Sequence, residues 1–147
     1  MASERSPELA ALDVFVGRWN VAVPFPDAPP GQLEFSWALE GRYLLQQSAV
    51  PDSPVPSTMC LIDVDDKGYL QHYFDSRGVT RLYRMTLEGG VWTLSRTEAD
   101  FSPLNFAQRY VGTFSADGAT IEGRWEQSHD LGATWEVDFP ITYTRVP

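Results

Sequence analysis

The sequence is poor in the residues on which metal and covalent chemistry most often depends. Among 147 residues there is one cysteine, Cys60, and there are two histidines. A single cysteine excludes an internal disulfide and a multi-cysteine zinc site, and two histidines exclude a three-histidine metal site within one chain. The sequence therefore predicts no metal site. Cys60 is interpreted as a buried packing thiol, with a nucleophile as the alternative.

Basic residues and long apolar runs are also scarce. The chain has 11 bases against 20 acids, for a net charge of -9, which argues against nucleic acid or an anionic membrane as a partner. No stretch approaches the roughly 18 apolar residues of a membrane span. Residues 1–12 carry acids and no continuous apolar leader, so a cytoplasmic location is predicted by default.

Helix signals are confined to the N-terminus. Ser6-Pro7-Glu8 has the cap, the proline and the acid of a helix start, and predicts one short helix. From Gly17 onward, alternating apolar and polar residues predict an all-β chain forming a single domain over 1–147. The ten predicted strands are 17–23, 32–39, 42–50, 57–64, 69–75, 79–88, 91–98, 107–115, 119–128 and 134–146.

The connections between these strands predict how they pair. Most are short and contain Gly or Asp, which indicates antiparallel hairpins between sequential neighbours. Ten such strands favour closure into an up-and-down β-barrel, because closure removes exposed edges, with a sandwich as the alternative. Two proline-rich breaks, 24–31 and 51–56, are interpreted as loops bordering a mouth at one end.

Three charged or ionisable side chains share a strand face with apolar residues. Arg81 lies on the face of Tyr83, and Arg96 on the face of Trp92. A buried charge without a partner is unfavourable, so these arginines require internal acids, an anionic ligand or an outward-facing position. His72 shares a face with Leu70 and is either a satisfied core histidine or a ligand-contacting or acid–base group.

The start of the first strand resembles a known family. Gly17-Arg18-Trp19, after a short helical lead, is similar to the Gly-x-Trp signature of lipocalins in the calycin superfamily. The resemblance is closest to small bacterial lipocalin-like domains of uncharacterised function, which carry Gly-Arg-Tyr-Leu (here 41–44) and a late Gly-x-Trp (here 123–125). It implies that Trp19 closes the barrel base and that Arg145 packs across its ring.

Two branches of this superfamily suggest ligands. Arg81 and Tyr83 resemble the Arg-x-Tyr pair with which fatty-acid-binding proteins hold a carboxylate, although there the pair lies on the last strand. Nitrobindin-like barrels bind haem through a histidine near the C-terminus, and strand 134–146 contains none. Haem is therefore not expected, and no cofactor is predicted.

A further motif has a structural interpretation. Residues 128–135, Ser-His-Asp-Leu-Gly-Ala-Thr-Trp, fit the Asp-box pattern found in sialidases, where it lies away from the catalytic residues. The Asp130 carboxylate is expected to accept amides of the turn, and Trp135 is expected to anchor the hairpin in the core.

The favoured function is binding of a small hydrophobic or aromatic molecule with a polar or anionic head group. One alternative is a cofactor-independent isomerase, cyclase or hydrolase with His72 as acid–base catalyst. The other is a packed barrel that associates with proteins, with a homodimer among the expected assemblies. The predicted ligand-binding residues are Trp37, Tyr43, His72, Arg81, Tyr83, Trp92, Arg96, Tyr110 and Trp125.

Overall fold

The N-terminal segment forms the one short α-helix that the sequence predicts. The computed structural model describes residues 6–24, 31–48, 56–100 and 104–147. Helix α1 spans Pro7–Ala11, and a 3-10 helix, Leu12–Phe15, follows it directly. The hydroxyl of Ser6 caps α1 by accepting a hydrogen bond from the Leu9 amide at 3.2 Å.

Ten antiparallel strands close into an up-and-down barrel, as predicted. Each strand pairs with its neighbour in the chain, and the first pairs with the last. The strand bounds lie within two residues of the predicted ones; residues 49–50 and most of the two proline-rich loops lie outside the described residues. The strands are β1 (Gly17–Ala22), β2 (Gly31–Ala38), β3 (Tyr43–Ser48), β4 (Thr58–Asp65), β5 (Gly68–Asp75), β6 (Thr80–Glu88), β7 (Val91–Arg96), β8 (Ala107–Phe114), β9 (Thr120–Ser128) and β10 (Glu136–Arg145).

Arg145 and Trp19 fasten the seam where β10 meets β1. The guanidinium lies 4.2 Å from the centre of the Trp19 ring, which confirms the predicted contact. Its two terminal nitrogens donate to the carbonyls of Val16 at 2.7 Å and Val14 at 2.6 Å. A Cβ on Gly17 would lie 2.8 Å from the guanidinium, so the close approach requires glycine there.

The N-terminal segment closes one end of the barrel. Phe15 is fully buried and packs its ring against Phe35 at 5.0 Å and Trp92 at 4.9 Å. Tyr69 donates its hydroxyl hydrogen to the Glu8 carbonyl at 2.6 Å, which ties the helix to β5. Open space inside the barrel is therefore left toward the opposite end.

The Asp-box hairpin lies outside the barrel. As predicted, Asp130 accepts from the Thr134 amide, at 2.8 Å. Trp135, however, does not enter the core: it is half-buried beneath Arg109, whose guanidinium lies 4.2 Å from its ring. Arg109 pairs with Glu126, on the face opposite the interior, so Trp135 covers the outer wall. The expectation failed because an aromatic residue in a turn can pack on either side of a sheet.

Candidate functional site

The barrel contains a cavity of about 530 Å³ between the N-terminal segment and the opposite end. Its described lining residues come from all ten strands, and most are apolar or aromatic. Asp138 is the one carboxylate among them, and none is a histidine. The aromatic lining consists of Tyr73, Tyr83, Trp92, Phe106, Tyr110, Trp125, Phe139 and Tyr143.

Five of the nine predicted site residues line this cavity. They are Arg81, Tyr83, Trp92, Tyr110 and Trp125. Strand register brings them together, because Trp125 pairs with Tyr110 across β8 and β9, and residues two apart on one strand share a face. Alternation in the sequence placed the four aromatic side chains of this set on the inner wall, whereas it left an outward-facing position open for Arg81.

His72 lies on the outer wall, contrary to the expected interior position. Tyr83 pairs with Gln71 and Arg81 with Tyr73, so the inner face of β5 consists of Gln71 and Tyr73. Apolar or aromatic side chains occupy both faces of β5, so alternation did not distinguish them. Without an interior imidazole, the enzyme hypothesis loses its predicted acid–base group.

Arg96 faces inward but is neutralised. Its Nε and Nη2 atoms donate to the two carboxylate oxygens of Asp100 at 2.8 and 2.9 Å, and both side chains are only 4% exposed. The hydrogen bonds to Asp100 raise the pKa of Arg96. Asp100 also accepts from the Leu82 amide at 2.9 Å and so joins β6 to the end of β7. Arg96 therefore forms the internal salt bridge that was one of its alternatives.

Trp37 and Tyr43 are also absent from the cavity lining. The Trp37 indole nitrogen donates to Asp13 at 2.8 Å, at the end closed by the N-terminal segment. Tyr43 is half-buried and lies beneath the guanidinium of Arg42, 5.0 Å from the ring centre. Both side chains therefore have structural contacts outside the cavity.

Arg81 is the cavity arginine without an acidic partner. Its Nη1 donates to the Gln108 side-chain oxygen at 3.1 Å, and the Tyr83 hydroxyl donates to the same oxygen at 2.9 Å. No carboxylate lies within ion-pair distance of Arg81 in the part of the chain that the structure describes. Burial raises the pKa of Tyr83, against the opposing effect of Arg81, so its hydroxyl stays protonated at neutral pH.

The second cavity arginine, Arg77, is bound by an acid. It donates from Nη2 to Asp75 at 2.7 Å, and Tyr73 donates its hydroxyl hydrogen to the same carboxylate oxygen at 2.8 Å. Burial opposes ionisation of Asp75, but the hydrogen bonds from Arg77 and Tyr73 outweigh it and lower the pKa to about 2. The Asp75 charge therefore compensates Arg77, and among the lining residues that the structure describes it leaves Arg81 as the uncompensated cation.

Cys60 lines the cavity and is 2% exposed. Burial raises the pKa of its thiol to about 12, so it is uncharged at neutral pH. No cluster of three metal-ligating side chains occurs among the described residues. Neither His72 on the outer wall nor His129 in the exposed hairpin suits an interior haem ligand. The expectation that no cofactor is required stays a prediction.

Sequence reasoning missed other lining residues, notably Gln71, Tyr73 and Tyr143. The signal for the first two was that Tyr69, Gln71 and Tyr73 recur at a spacing of two, as a buried face does. Nothing in the sequence singles out Gln71 within that set, because a glutamine on a strand usually faces water.

Three buried polar atoms have no hydrogen-bond partner among the described residues: the Gln71 side-chain oxygen, the Trp92 indole nitrogen and the Tyr110 hydroxyl. Each such atom destabilises a fold by about 1–3 kcal/mol. All three belong to residues that line the cavity.

The architecture places the chain among closed ten-stranded antiparallel β-barrels with an internal cavity. It is similar to the crystal structure of Rv2717c from M. tuberculosis, with a TM-score of 0.62 and 20% sequence identity, over 98% of this chain and 100% of that one. At that identity the likeness shows a shared fold. The sequence matches no protein-family model and no curated protein. The described residues contain no helix with the length and apolar character needed to cross a membrane.

Proposed function

We propose that the barrel binds a small apolar or aromatic molecule that carries a carboxylate or similar anion, with Arg81 holding the anionic group. The observation that carries the proposal is an uncompensated guanidinium in a cavity walled by apolar and aromatic side chains. A cation in such surroundings attracts an anion strongly, because little water competes for it.

Gln108 and Tyr83 give this guanidinium a fixed position. The single oxygen of the Gln108 amide accepts from both side chains, so Arg81 is oriented by a neutral group that leaves its charge intact. One of its N–H groups donates to Gln108, and the guanidinium also lies close enough to the Tyr83 oxygen to oppose the rise of that tyrosine's pKa. A carboxylate can accept from two guanidinium N–H groups in parallel.

The aromatic wall suits the rest of the ligand. Tyr83 and Trp125 have ring centres 5.7 Å apart, and Tyr110 lies 5.3 Å from Trp125, so these rings form one continuous surface. A cavity of about 530 Å³ is within the range of small-molecule sites, which are mostly apolar with a few placed polar groups. A planar aromatic acid combines both features.

The anionic dye 1-anilinonaphthalene-8-sulfonate tests this proposal, because its emission rises in apolar surroundings. We expect saturable enhancement with the wild type and at least about fivefold weaker binding by Arg81→Met, since one charge-assisted contact is lost. Arg124→Met removes an exposed arginine of the outer wall and is the matched control. Equal affinities in Arg81→Met and the wild type would exclude Arg81 as the anion-binding group.

A second candidate function, self-association, is favoured by the outer wall. On that wall, His72 lies between its strand partners Leu61 and Leu82. Met59 pairs with Phe74, and these two side chains are 41% and 39% exposed. We call these five residues the outer apolar patch. On a chain with net charge -9, a patch that contains no acidic residue lets two copies meet without bringing acids together, so we propose a homodimer through it.

Sedimentation velocity tests the dimer. We expect a dimer for the wild type and a monomer for Phe74→Glu, because a charge would be buried in a symmetric contact. Val137→Glu, at a residue that is 58% exposed outside the patch, is the control and should leave the dimer intact. A monomeric wild type, or a dimer unaffected by Phe74→Glu, would exclude this surface.

A further inference from the structure

The cavity ends at a closed floor on five neighbouring strands, β2 to β6. On each of these strands one residue lines the cavity, and the residue two positions nearer the closed end is buried without lining it. The lining residues are Leu33, Gln46, Cys60, Gln71 and Tyr83, and the buried residues beyond them are Phe35, Leu44, Ile62, Tyr69 and Met85. Because all five buried residues belong to one packed core, no room is left for a ligand below this level.

Trp92 is the lining residue that rests on this core from the side of β7. Its ring centre lies 4.9 Å from that of Phe15 and 6.4 Å from that of Phe35, and neither phenylalanine lines the cavity. Tyr110 packs beside the indole, with ring centres 4.7 Å apart. A Cβ on Gly123 would lie 2.5 Å from the Tyr110 hydroxyl oxygen, so glycine there lets the phenol lie down beside the indole. Trp92 and Tyr110 therefore complete the floor, and the indole is held by packing.

Strand geometry gives the distance from the anion-binding group to this floor. On β8, Gln108 accepts from Arg81, and Gly112, four positions further along, is the strand partner of Trp92. At about 3.3 Å per residue, four positions correspond to about 13 Å along the strand, and a strand tilt of roughly 40° reduces this to about 10 Å along the barrel axis. Arg81 is the second residue of β6, at the open end, so a ligand held there by its anion directs its apolar part toward Trp92.

We infer that Trp92 sets an upper limit on ligand length, so that the site takes compact acids of one or two rings and excludes long-chain fatty acids. This inference rests on the proposed function, because the limit is measured from the anion that Arg81 holds. An apolar group that ends above the indole gains free energy by leaving water. A longer group must displace the packed indole or draw its carboxylate away from Arg81, and both are unfavourable. Trp92 is thus a specificity-determining residue at the end of the cavity remote from the anion.

Calorimetric titration with a series of 4-alkylbenzoates tests the length limit, because the alkyl group lengthens away from the carboxylate. We expect the affinity of the wild type to rise by up to about fourfold for each added methylene until the alkyl group has about four carbons. The longer 4-octylbenzoate should bind at least about fivefold more weakly than the best member of the series.

Substitutions at Trp92 should move the optimum length. Trp92→Leu opens space at the floor and should shift the optimum to chains longer by about two carbons. Trp92→Phe keeps a ring against Phe15 and should shift it less. Trp125→Leu is the matched control, because Trp125 lies on the side wall between Tyr83 and Tyr110; it should weaken binding across the series and leave the optimum length unchanged.

The outcomes separate the length limit from the proposed function. If Arg81→Met weakens binding of the whole series but the wild-type affinity keeps rising through 4-octylbenzoate, the length limit is wrong and the proposed function stands. The same holds if Trp92→Leu and Trp92→Phe both keep the wild-type optimum. The wild-type series alone can overturn the limit, so the test does not depend on the folding of the variants. If no member binds the wild type saturably, or if Arg81→Met binds the series as the wild type does, the proposed function is wrong and the length limit with it.

Discussion

Gln108 on β8 accepts a hydrogen bond from Arg81 on β6 at 3.1 Å, although β7 lies between these two strands in the barrel. The partner of this cation is thus an amide in a place where a carboxylate would fit. Had the chain carried an acid there, Arg81 would be neutralised as Arg96 is by Asp100. The neutral partner is what keeps the cavity attractive to an anion.

Replacing Gln108 with Glu should therefore weaken anion binding while preserving the fold. The new carboxylate would pair with Arg81 and still accept from Tyr83, so we expect binding of the anionic dye to fall by at least about fivefold. Urea unfolding should show stability no lower than that of the wild type. Undiminished dye binding by Gln108→Glu would show that the anion does not use Arg81.

Arg145 should be a major stabilising residue. Arg145→Met removes two hydrogen bonds to backbone carbonyls and the contact with the Trp19 ring, so the free energy of unfolding should fall by about 2–4 kcal/mol. The exposed Arg124 pairs weakly with Glu126 at 3.7 Å, and Arg124→Met should change stability by less than about 0.5 kcal/mol. Similar losses of stability in Arg145→Met and Arg124→Met would contradict the stabilising role of Arg145 where β10 meets β1.

Two tyrosine-to-phenylalanine substitutions should affect the free energy of unfolding differently. Tyr83→Phe loses the bond to Gln108 and should lower the free energy of unfolding by about 1 kcal/mol. Tyr110→Phe removes a hydroxyl that has no hydrogen-bond partner among the described residues, so the free energy of unfolding should stay constant or rise. Denaturant unfolding of both variants measures the contrast, and a destabilised Tyr110→Phe would show that its hydroxyl is bonded in solution.

Asp75 should contribute to acid sensitivity. Its folded-state pKa of about 2 lies below the ordinary value, so its stabilising effect is complete at neutral pH and is lost as the pH falls from about 4 through 2. We expect Asp75→Asn to be less stable than the wild type at pH 6 by about 1–2 kcal/mol, with the difference shrinking toward pH 2. If the difference in stability between Asp75→Asn and the wild type does not change with pH, the loss comes from altered packing and not from the lost charge.

The sequence was sufficient for the fold because strand alternation, turn residues and the Gly17–Trp19 motif all agree. Strand register follows from the short hairpins, and closure follows from the ten sequential strands. On β6 and β7 alternation placed Tyr83 and Trp92 inside, but it left an outward-facing position open for Arg81, which the structure places in the cavity lining.

Side-chain partners were beyond the reach of the sequence pattern. Arg81 and Arg96 each share a strand face with aromatic residues, so the sequence pattern does not distinguish them. Only Arg96 is neutralised, because the segment that follows β7 places the Asp100 carboxylate beside it. His72 was misplaced since both faces of β5 are apolar. Pairing across a barrel depends on three-dimensional proximity, which alternation along a single strand does not encode.

The most direct test of anion binding by Arg81 compares an acid with its neutral amide. Isothermal calorimetry should show that the wild type binds 2-naphthoate more tightly than 2-naphthamide by at least about fivefold, because only the acid pairs with the guanidinium. In Arg81→Met the two affinities should become equal, through a loss for the acid alone. A wild type that binds acid and amide equally, or an Arg81→Met variant that keeps the preference for the acid, would contradict the assignment.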